Sequence, residues 1–159
     1  MLFRSKDRPI YDATLAAERV AAAVAAARTL PMPFIVTARA ENFLHGRRDL
    51  ADTIRRLQAF AVAGADVLYA PGLPDLAAVT AVCAAVAPRP VNVLAGAPGF
   101  TVANLAAAGV RRISLGGLLA RAALGAFLRA SREIADGGTF AFAAEAASFA
   151  EISGFMAGR

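Results

Sequence analysis

Apolar residues recur along the chain in two alternating rhythms. Short, largely apolar runs read as buried strands: FIVTA (34–38), DVLYA (66–70), PVNVLA (90–95) and RRISL (111–115). Longer stretches between them have helical spacing. Asp12 is placed to cap a helix reaching to about Leu30, with Leu15, Val20, Val24 and Ala27 on one side and Pro31 and Pro33 ending it. Asp49 caps a second helix, with Asp52 in its first turn and Leu50, Ile54, Leu57 and Ala61 at helical intervals before Gly64. Asp75 caps a third, bearing Leu76, Val79, Val82 and Val86, and Thr101 caps a short fourth that ends at Gly109. A fifth runs from about Leu118 to Ala135, where Asp136-Gly137-Gly138 breaks it. A last helix is expected over 140–156, carrying Phe142, Phe149, Ile152 and Met156.

Four short strands joined by helices make an α/β protein. A connection long enough to hold a helix returns the chain to the same end of the sheet, so the strands run parallel. Such sheets place their chemistry at the carboxyl ends of their strands. FIVTA leads there directly into Arg39, Glu41 and Asn42, followed by a loop with the only histidine, His45. Spacing alone fits an open doubly wound sheet or part of a closed eight-stranded barrel.

Composition narrows the function classes. The 159 residues are 58% hydrophobic, much of it alanine. The uncharged run between Arg89 and Arg111 holds Pro90, Pro98, Asn92 and Asn104, a poor membrane span. Cys83 is the only cysteine, so no internal disulfide can form and a reducing cytoplasm is the expected compartment. The net charge of +5 would suit a nucleic-acid binder. The arginines are scattered, however, and there is no Trp and only two Tyr to stack on bases, which favours a solvated arginine-rich surface. One histidine and one distant cysteine make no zinc site. The opening MLFRS reads as the translation of a sequencing-adaptor end, so residues 1–5 are expected to be a leader foreign to a single domain over 6–159.

The stretch TARAENFLHGRRDLADTIRRLQAFAVAGADVLYAPGL, followed by PVNVLAG and GVRRISLGGLLARAAL, resembles the isocitrate lyase / phosphoenolpyruvate mutase family from about residue 10 to 135. The resemblance implies the carboxyl-terminal half of a TIM (β/α)8 barrel, with a terminal extra helix. It also implies a Mg²⁺-dependent enzyme that makes or breaks a C–C or P–C bond of a small 2-oxo or 2-hydroxy carboxylic acid, or a phosphonate analogue, through an enolate. Arg39 matches the family arginine that grips the substrate's carboxylate or phosphonate, a task suited to a planar guanidinium. Glu41 matches the acidic position two residues on and is assigned a supporting role near the metal-bound water, and Asn42 could orient either.

Asn92 is a further candidate for substrate contact. Gly116 and Gly117, ahead of a helix amino terminus, could cradle an anion or simply form a tight turn. The family's Asp-x-Asp metal ligands and its cysteine-bearing loop belong to the first four strands of the barrel; no Asp-x-Asp occurs here, and Cys83 falls within a helix. Pro71 stands where family members often carry Glu or His. No metal ligand is therefore assigned, and the chain alone is expected to be inactive. Two rivals remain: a non-catalytic half barrel that works only as an oligomer, with its open strand edges paired and a last helix apolar enough to favour self-association, and a basic nucleic-acid-binding domain.

Overall fold

The computed structural model describes residues 9–96 and 99–158, so the expected leader lies outside the described residues. The chain forms two compact units, Met1–Gly116 and Gly117–Arg159.

The first unit contains α1 (Ala13–Arg28), β1 (Thr37–Arg39), a 3-10 turn (Phe43–His45), α2 (Leu50–Val62), β2 (Val67–Tyr69), α3 (Leu76–Val86), β3 (Val91–Leu94), α4 (Val102–Ala107) and β4 (Arg112–Ser114). The strands form one parallel sheet in chain order, β1-β2-β3-β4, as a series of helical crossovers requires. Each expected cap is made. Asp12 accepts from the Thr14 amide, Asp49 from Asp52, and Asp75 from Ala78. Thr101 and Asn104 cap α4 reciprocally. The core lies between sheet and helices. Leu57 and Phe60 of α2, Val79 and Val82 of α3, and Leu105 of α4 close over Ala38, Leu68, Val91 and Val93.

Two boundaries differ from the sequence reading. β1 occupies Thr37–Arg39 rather than 34–38, and Phe34 and Ile35 are exposed. The Asp66 carboxylate takes the Val36 amide at 2.8 Å, and the Val36 carbonyl accepts from Asp66 and Val67, so ladder pairing starts only there. α1 ends two residues early, and Leu15 is exposed.

The second unit contains α5 (Leu118–Arg132), a π-helical turn (Glu133–Gly137), a 3-10 turn (Ala141–Glu145) and α6 (Phe149–Met156). The continuous helix expected over 140–156 is not formed. Glu133 takes the amides of Ala141 and Phe142 at 2.5 and 3.2 Å, and the Thr139 hydroxyl at 2.7 Å, which anchors the chain in a turn. Those bonds hold the Glu133 carboxyl below its usual range, led by the one from Thr139. Ala146 is extended, and the Ser148 hydroxyl accepts from the Glu151 amide to start α6 afresh. Among the described residues no helix is long and apolar enough to cross a membrane.

Candidate functional site

Parallel pairing sets the residues of adjacent strands in rows. Arg39 is registered with Tyr69, Tyr69 with Asn92, and Asn92 with Arg112. Registered neighbours share a face of the sheet, so these four side chains form one row across all four strands. The row begins at the last residue of β1 and ends at the first of β4, the stagger expected of tilted barrel strands. A guanidinium stands at each end, with a phenol and an amide between.

Arg39 is fixed from two sides. Its Nε lies 2.7 Å from Glu41 Oε1, and its guanidinium carbon sits 5.0 Å from the centre of the Tyr69 ring. Both partners engage the Nε edge and the flat face. Among the described residues, no hydrogen bond or ion pair engages the terminal nitrogens, the fork whose geometry suits a carboxylate or phosphonate. The pair is half-exposed, so its value is in placing the guanidinium rather than in stability. His45, in the turn after Glu41, brings Nε2 to 3.9 Å from Glu41 Oε2.

Asn42 turns inward, away from this pair. It is fully buried, and its Nδ2 donates to Asp52 Oδ2 at 2.7 Å, while its Oδ1 is buried with no partner among the described residues. Asp52 in turn accepts from Arg56 Nε at 2.8 Å and pairs with Arg55, and Arg56 reaches the Tyr11 carbonyl at 2.8 Å. Burial works to raise the Asp52 carboxyl, but the hydrogen bonds from Arg56 and Asn42 and the two positive charges outweigh it, and it sits below its usual range. This network ties the loop after β1 to α2.

Asn92 is also buried. It donates through Nδ2 to Ser114 Oγ at 3.0 Å and accepts at Oδ1 from Arg112 at 3.0 Å, which links β3 to β4 and orients Arg112. Gly116 follows β4 with φ +54, where a Cβ would meet Leu94 Cδ1 at 3.4 Å; Gly117 precedes α5 with no side-chain cap. Cys83 is a buried face residue of α3 whose thiol is pushed up by desolvation, the behaviour of a packing cysteine. Pro71 is buried in the turn after β2.

The structure thus unites Arg39, Glu41 and Asn92 with two residues that sequence reasoning passed over, Tyr69 and Arg112. Tyr69 looks like one more apolar strand residue in DVLYA, and Arg112 like surface charge. Only strand register reveals their alignment. Among the described residues, no group of three or more His, Cys, Asp or Glu is close enough to hold a metal ion.

Comparison with known proteins agrees with this architecture. The phosphoenolpyruvate phosphomutase family profile matches residues 3–135. An uncharacterised protein of Mycobacterium tuberculosis strain H37Rv is 34% identical over 134 residues, covering 84% of this chain and 50% of its own length. The crystal structure of a protein assigned as a lyase/mutase from Burkholderia cenocepacia J2315 superposes with a TM-score of 0.89 at 55% identity, over 96% of this chain and 55% of that one. One assigned as a phosphonomutase from the same organism gives 0.70 at 36% identity, over 78% and 52%. 2,3-Dimethylmalate lyase, of the PEP mutase/isocitrate lyase superfamily, shares the fold at 23% identity, with a TM-score of 0.73 over 83% and 48%. The chain spans about half the length of the relatives it matches, and the match falls on the carboxyl-terminal half of these barrel proteins. On this evidence the chain belongs to the phosphoenolpyruvate phosphomutase family.

Proposed function

We propose that this chain carries the anion-gripping part of a lyase- or mutase-type site for a small 2-oxo or 2-hydroxy carboxylic acid, or its phosphonate analogue. The observation that carries the reading is the Arg39–Tyr69–Asn92–Arg112 row across the strands. Arg39 receives one end of the substrate on its terminal nitrogens, with Glu41 and Tyr69 holding the guanidinium flat. Arg112, steadied by Asn92, sets positive charge at the far end of the row. Fixed cations of this kind stabilise the charge of an enolate as it develops.

Family membership brings the expectation of Mg²⁺, which would polarise the enolate oxygens. The described residues do not fit that ion by themselves: they supply no acidic cluster, and Glu41 is engaged with Arg39. The full chain is therefore expected to bind without turning substrate over. The test is calorimetric titration of the full chain with oxalate, a planar dianion that resembles an enolate of pyruvate. Arg39→Ala should weaken binding about tenfold to a hundredfold, the value of a charge-assisted bond. Undiminished oxalate binding by that variant would sink the reading. In a parallel assay with MgCl₂ and 2-methylisocitrate, release of pyruvate by the chain would contradict the expected inactivity.

A second reading, self-association, draws on α6, where Phe149 is 94% exposed and Phe155 and Met156 are also open. It is compatible with the first and would appear in light scattering as a species of defined mass.

A further inference from the structure

A second group of side chains converges at the opposite end of the sheet from Arg39 and Glu41. The chain leaves α3 and enters β3 through Pro88, Arg89 and Pro90, and leaves α4 and enters β4 through Gly109, Val110 and Arg111. The last turns of both helices therefore lie beside the amino ends of both strands. A cavity of about 360 Å³ opens there, wholly within the first unit. Cys83 and Ala84 of α3, Ala107 of α4, and Pro88, Arg89 and Arg111 of the two strand entries line it. A glycine shapes its floor. Gly109 has φ +93, and a Cβ there would come within 3.3 Å of Cys83 Cβ, so glycine alone lets the chain turn into β4 this close to α3.

The charge of the cavity is unbalanced. Arg111 and Arg112 are consecutive and point to opposite faces of the sheet, Arg112 to Asn92 and Arg111 to the helix side, where Arg89 also lies. Among the described residues no hydrogen bond or ion pair engages the guanidinium of Arg89 or of Arg111, and no carboxylate lines the cavity. Asp66, the carboxylate that feels the charge of Arg89, is already taken by Arg28 and by the Val36 amide. Cys83 adds no negative charge, because desolvation pushes its thiol up and keeps it neutral.

We infer that this cavity binds a phosphate monoester with a small apolar body, at a site separate from the one at Arg39. Two guanidinium forks offer more donors than a single carboxylate can occupy and suit the three oxygens of a dianionic phosphate. Ala84, Pro88 and Ala107 give the ester group an apolar wall. The volume is at the low end for small-molecule sites, about 300–1,000 Å³, and suits a single ring. The amino-terminal face of a (β/α)8 barrel carries stability rather than catalysis, so the site binds the ester and leaves it intact. The inference rests on the cavity and its two arginines and stands whether or not oxalate binds at Arg39.

The probe is phenyl phosphate, titrated calorimetrically at low salt into the full chain carrying Arg39→Ala, which removes the competing cation. One molecule should bind per chain. Arg89→Ala and Arg111→Ala, both at exposed positions, should each weaken binding about tenfold or more, as for charge-assisted hydrogen bonds. Ala84→Leu fills the cavity without touching either charge and should weaken binding about as much. Ala84 is exposed on α3 and leucine is a good helix former, so this variant keeps its fold. No binding, or binding that either arginine variant leaves unchanged, would overturn the inference. Loss in the arginine variants but not in Ala84→Leu would overturn it too, since plain attraction to an exposed basic surface would then account for the binding.

Discussion

Asp52→Ala is expected to destabilise the protein by about 3–5 kcal/mol, the cost of removing one partner from a buried ion pair. Asp52 is 4% exposed and Arg56 7%, so the guanidinium left behind has no solvent to take the carboxylate's place. Asn42, with no partner at Oδ1 among the described residues, would lose its partner at Nδ2 as well. The loss reaches the site, because Asn42 sits in the loop that carries Glu41 from β1 towards α2. Urea unfolding of the wild type and the variant measures the effect; a difference under about 1 kcal/mol would show that solvent or Arg55 compensates. Acid gives an independent check. The Asp52 carboxyl is held below its usual range in the folded protein, so its stabilisation is complete above roughly pH 4–5 and fades as pH falls through the folded value. The wild-type advantage over Asp52→Ala should therefore shrink on acidification below about pH 4. An advantage unchanged down to pH 2 would mean that the ionised carboxylate is not the source of it.

Leu68→Ala should cost about 2–5 kcal/mol, as for other leucines removed from a close-packed core. Leu68 is fully buried at the centre of β2, registered with Ala38 of β1 and Val91 of β3. The small alanine beside it cannot expand into the vacated volume, so a cavity persists. Val62→Ala is the matched control. Val62, at the end of α2, is 90% exposed, and its removal should change stability by no more than about 0.5 kcal/mol. Denaturant midpoints of the two variants, compared at equal m values, make the contrast measurable. Similar midpoints would place the core elsewhere.

That contrast is legible in the hydrophobic pattern: Val62 lies off the Leu50, Ile54, Leu57 and Ala61 spacing, whereas Leu68 lies within the buried run DVLYA. The pattern reaches its limit at Leu15, expected on the inner side of α1 and found exposed. It reaches the same limit at the last helix. Its local sequence is strongly helix-forming, but the Glu133 carboxylate, from an earlier turn, claims the amides of Ala141 and Phe142. A contact eight or nine residues away in the chain overrides propensity.

The sequence by itself determined the alternation of strands and helices, the caps at Asp12, Asp49, Asp75 and Thr101, the parallel α/β class and the family. All of these rest on local spacing or on short motifs, which survive without knowledge of neighbours. It also singled out Arg39 and Glu41, because charge at the end of an apolar strand is visible in a linear reading. Only the tertiary structure decided the rest. Strand register is a relation between segments some twenty to thirty residues apart, and it alone set Tyr69 and Arg112 in line with Arg39 and Asn92. Packing turned Asn42 from the site into the interior, where Asp52 holds it.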